Sequence, residues 1–176
     1  MRLKLVLAVS LIILAVVARV LPHPDNFAPI AAVALFAGAI LPFRLALTLP
    51  LGAMIISDFI IGLHSLFLLT WGCFLLIVVL GKYLIKKIKP TSVITASITA
   101  SILFYLVTNF GVWAEGRMYP MTIAGLAECY YMALPFFRNT LLGDVFYSGL
   151  LFGAYASIYH FIKNRHVLGF FGNTRS

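Results

Sequence analysis

Six apolar runs, at residues 5–21, 27–41, 45–62, 65–81, 91–112 and 139–162, follow one another with little polar sequence between them. Most approach the ~20 residues that cross a bilayer at 1.5 Å of rise each, although the second is short. A chain that is 62% hydrophobic and only 10% charged, with a mean hydropathy of +1.05, needs lipid as its solvent. No water enters the hydrocarbon core to satisfy backbone N–H and C=O groups, so only helices or closed barrels can span it. Runs this continuous are not alternating barrel strands. The sequence therefore predicts an all-α integral membrane protein, one transmembrane domain over residues 1–176 built as a six-helix bundle. Pro22-His23-Pro24, Pro42, Gly62 and Lys89-Pro90 punctuate the gaps.

A net charge of +8 would suggest nucleic acid in a soluble protein. Here the basic residues sit at the ends of apolar runs and no basic, aromatic-interleaved face exists, so no nucleic-acid partner is expected. With the N-terminus inside and six crossings, Arg2, Lys4, Arg44, Lys82, Lys86, Lys87, Lys89, Lys163, Arg165 and Arg175 face the cytoplasm. Arg19, Arg117 and Arg138 face out. Ten against three is a strong positive-inside bias, and it places both termini in the cytoplasm. Residues 121–137 tempt a seventh crossing, but they follow Pro120 and contain Glu128 and Pro135. Crossing there would reduce the split to seven against six, so an interfacial or re-entrant helix is expected. Residues 1–18 also fit a cleaved signal peptide ending at Val16-Val17-Ala18. Arg19 directly after that site, and the length of continuous apolar sequence, favour a retained anchor.

Under this orientation all five acids, Asp25, Asp58, Glu115, Glu128 and Asp144, fall in the outer half or the outer loops. Asp58 lies four residues before the outer end of the third run and Asp144 five after the outer start of the sixth, each about 6–8 Å deep by helix rise. Asn109, three residues before the outer end of the fifth run, is expected at the same depth. Charges inside a bilayer usually face a bundle interior, a partner or a water-filled cavity. The expected arrangement is an outward pocket formed by Asp58, Asn109 and Asp144, with Trp113, Tyr119 and Asn139 crowding the same level. The alternative is that Asp58 and Asp144 cap helix ends or pair with Arg19 and Arg138. The proline-bounded segment holding His23, Asp25 and Asn26 could close over such a pocket, although Asp25 or Asn26 could instead N-cap the second helix.

Cys73 and Cys129 are too far apart in sequence for a metal finger or a disulfide framework. Cys73, eight residues into the fourth run, is either a small buried hydrophobe or the floor of the pocket, where its sulfur would suit a transition metal such as the cobalt of a corrinoid. His23 and His64, from separate loops, make a weak metal pair. Small residues recur four apart at Ala28/Ala32, Ala34/Gly38, Ala96/Ala100, Ser97/Ser101 and Gly149/Gly153, which permits close helix approach. The Lys82–Lys89 cluster reads as an anchor at anionic lipid. No phosphate-cradling loop, metalloprotease motif or nucleophile elbow is present. The residues call for no cofactor.

The runs Leu21-Pro-His-Pro-Asp-Asn-Phe-Ala-Pro-Ile, Ala34-Leu-Phe-Ala-Gly38, Ser57-Asp-Phe-Ile-Ile-Gly62, Thr108-Asn-Phe-Gly-Val-Trp113 and Pro135-Phe-Phe-Arg-Asn-Thr-Leu-Leu-Gly-Asp144 resemble an uncharacterised bacterial membrane family. That family is in turn similar to the substrate-binding S components of energy-coupling factor (ECF) vitamin transporters. The resemblance implies a multi-pass protein of the bacterial inner membrane that takes up a vitamin or related micronutrient at its outer side. It implies a lid formed by the loop after the first helix, and docking to a coupling subunit driven by two ATPases. Some relatives act alone, and solitary cobalamin carriers can ligate cobalt through a cysteine, a role that would fall to Cys73. S components often carry small residues every fourth position in the first helix, whereas here Ala8 is followed by Ile12. Two other readings stand beside uptake. One is a membrane enzyme using Asp58 and Asp144 on a lipid-like substrate; the other is a structural subunit.

Overall fold

The computed structural model describes residues 2–21 and 24–172, and their side chains except at 2–4, 15, 18, 20 and 163–172. Among these the chain is helical throughout, with no strand: α1 (Arg2–Val20), α2 (Ile30–Ile40), α3 (Phe43–Ile61), α4 (Phe67–Leu84), α5 (Pro90–Ala114), α6 (Ile123–Met132) and α7 (Leu134–Gly172). Four of them, α3, α4, α5 and α7, are long and apolar enough to cross a membrane. The apolar parts of the other two candidate spans, Leu5–Leu14 and Ile30–Ile40, are shorter.

The second run corrects the sequence reading most clearly. It was expected over 27–41, yet α2 has only 11 residues, about 16 Å of rise. Both ends are set by proline. Leu41 is held extended (φ −89°, ψ 155°) by Pro42, as the residue before a proline is, and Pro29 takes the N-cap position. The expected cap by Asp25 or Asn26 is not formed, because a turn closed by Phe27 N–H on the Pro24 carbonyl (3.0 Å) consumes those residues upstream. Asn26 has φ +60°, a conformation that Asn tolerates better than most residues.

Every residue of α2 from Ile30 to Gly38 is buried, and it packs against α1, α3, α4, α5 and α7. A helix apolar all round has to be an interior one. Its closest partner is α4. A Cβ on Gly38 would overlap the Val78 carbonyl, and one on Gly81 the Leu35 backbone, so both glycines are where two backbones touch. On the other side the Phe36 ring meets Phe152 and Tyr155 of α7 edge-on, at centroid distances of 5.1 and 5.5 Å. Outward, Ile56, Phe59, Ile60, Leu68 and Leu150 are each more than half exposed, which suits lipid and not water. Gly149 and Gly153 also lie on the exposed side, with nothing near a built Cβ.

The segment expected as one interfacial piece over 121–137 is split. α6 spans ten residues, about 15 Å, roughly half the hydrocarbon thickness. α7 then begins at Leu134, five residues earlier than expected, since Pro135 in its first turn removes no hydrogen bond that the helix needs. Asp144 is therefore ten residues into its helix, about 15 Å, while Asp58 is three residues from the end of α3.

Candidate functional site

A cavity of about 390 Å³ lies between the N-terminal ends of α2, α4 and α7, the C-terminal half of α5 and the 24–28 loop. Each helix contributes a stripe at helical spacing: Thr70 and Phe74 from α4, with Leu66 just before it; Phe104, Tyr105, Thr108, Asn109 and Val112 from α5; Phe136, Phe137, Thr140 and Asp144 from α7, with Ala133 just before it. Ile30 and Ala31 bring the first turn of α2 to the wall, and no side chain caps the amide N–H groups there. Arg19, Asn26, Met54 and His64 complete the lining; exposed Asn26, His64 and Phe136 mark where it reaches the surface.

Asp144 is 2% exposed, and one of its oxygens accepts a hydrogen bond from the Ser101 hydroxyl of α5 at 2.6 Å. Thr108 and Thr140 donate to carbonyls one turn back in their own helices, as does the Asn109 amide to Tyr105. Thr70, 8% exposed, makes no side-chain hydrogen bond among the described residues, so its hydroxyl is available to whatever fills the cavity. Two aromatic pairs stand in the walls, Phe74 with Phe104 (5.3 Å) and Tyr105 with Phe137 (4.7 Å).

Of the expected site residues that are described, Asn26, Asn109 and Asp144 meet at this cavity and the others do not line it. The Asp58 carboxylate is committed elsewhere: the Arg19 guanidinium of α1 donates to one oxygen at 2.6 Å and the Trp71 indole of α4 to the other at 2.7 Å. Arg19 also donates to Ser57. This buried cluster ties three helices together and engages both Asp58 oxygens, and Asp58 does not line the cavity. The Trp113 indole donates to the Pro120 carbonyl (3.1 Å) in the turn before α6, and Tyr119 sits in that same turn region. Cys73 is 2% exposed and outside the lining, the wall at that level being Phe74. Among the described residues no three His, Cys, Asp or Glu side chains gather to hold a metal ion.

The described part of the segment expected as a lid, residues 24–28, is docked onto α7. The Asn139 amide donates to the Asp25 carbonyl (3.0 Å), the Phe27 ring packs against Phe146 and Tyr147 at 5.9 and 5.5 Å, and Gly143 leaves room for the Phe27 backbone. His23, expected in this lid, lies outside the described residues. Asn139 thus holds the 24–28 segment and does not line the cavity. Asn139→Leu is expected to cost about 1 kcal/mol and to speed amide exchange in residues 24–28 while leaving α5 unchanged; equal exchange in both proteins would refute the docking role.

α6 closes the side of the site. The Tyr105 hydroxyl donates to the Tyr130 carbonyl (2.6 Å), the Tyr130 hydroxyl to the Leu106 carbonyl (2.8 Å) and the Cys129 thiol to the Asn109 carbonyl (3.3 Å). Sequence reasoning passed over Thr70, Thr108, Thr140 and the aromatic walls. The usable signal was period: Thr140 and Asp144, and separately Thr70 and Phe74, are four apart and so share a helix face.

A protein family described as a family of unknown function (DUF6580) matches residues 1–166. No curated protein and no solved structure matches the chain.

Proposed function

The chain belongs to this family of unknown function, and from the geometry of its cavity we propose that it binds a small micronutrient at the outer face of the bacterial cytoplasmic membrane for uptake. The carrying observation is the cavity itself: about 390 Å³, with polar side chains from α1, α4, α5, α7 and the 24–28 loop converging on it. Binding sites for small molecules are hollows of this kind, largely apolar with a few placed polar groups, and their volumes start near 300 Å³. The cavity lies at the end of the bundle opposite Arg44 and the Lys82–Lys89 cluster, so the positive-inside bias that orients six crossings turns it outward. In this reading both termini are cytoplasmic, α6 lies in the outer interface and the 24–29 loop is the gate.

Size narrows the solute. The hollow corresponds to about 13 water volumes, which suits a one- or two-ring compound and not a corrinoid. With Cys73 off the lining, nothing favours cobalt ligation. Energy would come from an ion gradient or from a coupling subunit with its ATPases, the partners that the resemblance to S components implies. The enzyme reading loses support because Asp58 and Asp144 do not face one cavity, and the structural-subunit reading because the walls are not aliphatic alone.

Purified protein in detergent is expected to show a ligand-dependent rise in melting temperature for one member of a panel of thiamine, riboflavin, biotin, queuosine precursors and cobalamin. Asn109→Leu, which puts an apolar branch into the hollow, is expected to reduce the rise at least about tenfold in ligand concentration. A flat response across the panel overturns the reading.

A further inference from the structure

Building on the uptake reading above, we infer that the solute is a small organic cation, a protonated or quaternary nitrogen on a flat ring, seated with its charge on Asp144. The argument starts from what Asp144 lacks. It lies about 15 Å into α7, is 2% exposed, and borders the cavity. Its one hydrogen bond comes from Ser101; its second oxygen has no partner, and no basic side chain pairs with it, among the described residues. Arg19, the arginine in the cavity wall, is engaged by Asp58 and Ser57, and His64 is an exposed residue of the α3–α4 loop. A carboxylate this enclosed stays ionised only beside a counter-ion and otherwise takes up a proton; none of the described side chains supplies that charge, so a cationic solute is what would keep Asp144 ionised.

The walls fit the same ligand. Phe74 and Phe104 form one aromatic pair and Tyr105 and Phe137 another, on helices that flank Asp144. Aromatic faces attract cations through their quadrupole and stack flat rings, and the attraction grows where water is excluded. Elsewhere in the lining, the uncapped first turn of α2 and the unpartnered Thr70 hydroxyl offer hydrogen-bond donors to an acceptor on the solute. A neutral or anionic ring of the same shape keeps the stacking and leaves the carboxylate uncompensated.

Three single-ring probes of near-equal shape separate the alternatives: 1-methylnicotinamide (cation), nicotinamide (neutral) and nicotinate (anion). Titrated calorimetrically into the purified full chain, with thiamine as a larger cationic arm, the cations are expected to bind at least about tenfold more tightly than the neutral and anionic rings. Asp144→Asn keeps the shape and an acceptor for Ser101, and is expected to abolish that preference while leaving residual binding of nicotinamide. Phe104→Leu, whose fold can be checked independently, is expected to weaken the cations about threefold or more and nicotinamide less. Equal or tighter binding of the neutral or anionic ring, or of any neutral or anionic vitamin in the panel above, would overturn the cation assignment and leave the uptake reading standing. No binding by any probe or panel member would overturn both.

Discussion

Asp58→Ala is expected to be among the most destabilising substitutions in the chain, at about 3–5 kcal/mol, or roughly 6–20 °C in melting temperature. Asp58 is 2% exposed, and its two oxygens are taken by Arg19 and Trp71. Removing it takes the paired carboxylate from a largely buried guanidinium and the acceptor from an indole N–H. The loss should come from the orphaned charge and not from missing volume. The double variant Arg19→Met, Asp58→Leu should therefore recover most of the lost stability, since a well-packed apolar pair can replace a buried ion pair. Thermal unfolding in detergent tests both. A single variant as stable as the parent, or a double variant no better than the single one, would show that the cluster does not hold α1, α3 and α4 together.

The second large effect is expected at Gly81. A Cβ there meets the Leu35 backbone, which cannot rotate out of the way as a side chain can, so Gly81→Ala has to push α2 and α4 apart. Overpacking of this kind costs about 1–3 kcal/mol, and Gly81→Val should cost more. Gly72, on the exposed side of the same helix, has nothing within 4 Å of a built Cβ. There the helix-propensity gain of up to about 1 kcal/mol goes unopposed, and Gly72→Ala should be neutral or stabilising. Parallel melting curves of the two alanine variants decide the matter: if they shift alike, the α2–α4 contact is not as close as described.

Much of the bundle is legible in the sequence because its solvent imposes it. Continuous apolar runs dictate helices, prolines and glycines divide them, and α3, α4 and α5 begin and end within a few residues of the expected places. Less legible were features set by one residue against another far along the chain. Asp58 reads from sequence as either a pocket residue or a partner of Arg19. Only folding, which brings together residues 39 positions apart, decides for the pair. The position of Asp144 along its helix depended on where α7 starts; Pro135 looked like an interruption and is instead a first-turn residue. The threonines of the cavity carry no charge to flag them, and five wall aromatics are indistinguishable by composition from those that face lipid. The period along each helix was the signal, and it becomes specific only once the neighbouring helices are known.

The hub of the bundle is about half as long as the shaft it occupies. Beyond the first turn of α2 there is no more of that helix to occupy the axis, and the surrounding helices, held at its radius by Gly38, Gly81 and Phe36 lower down, stay too far apart to close over the gap. The hollow is thus produced by chain length before any side chain shapes it. Exchanging the residues that face it can retune what it holds without disturbing the packing that keeps it open, whereas one added helical turn before Ile30 would plug it.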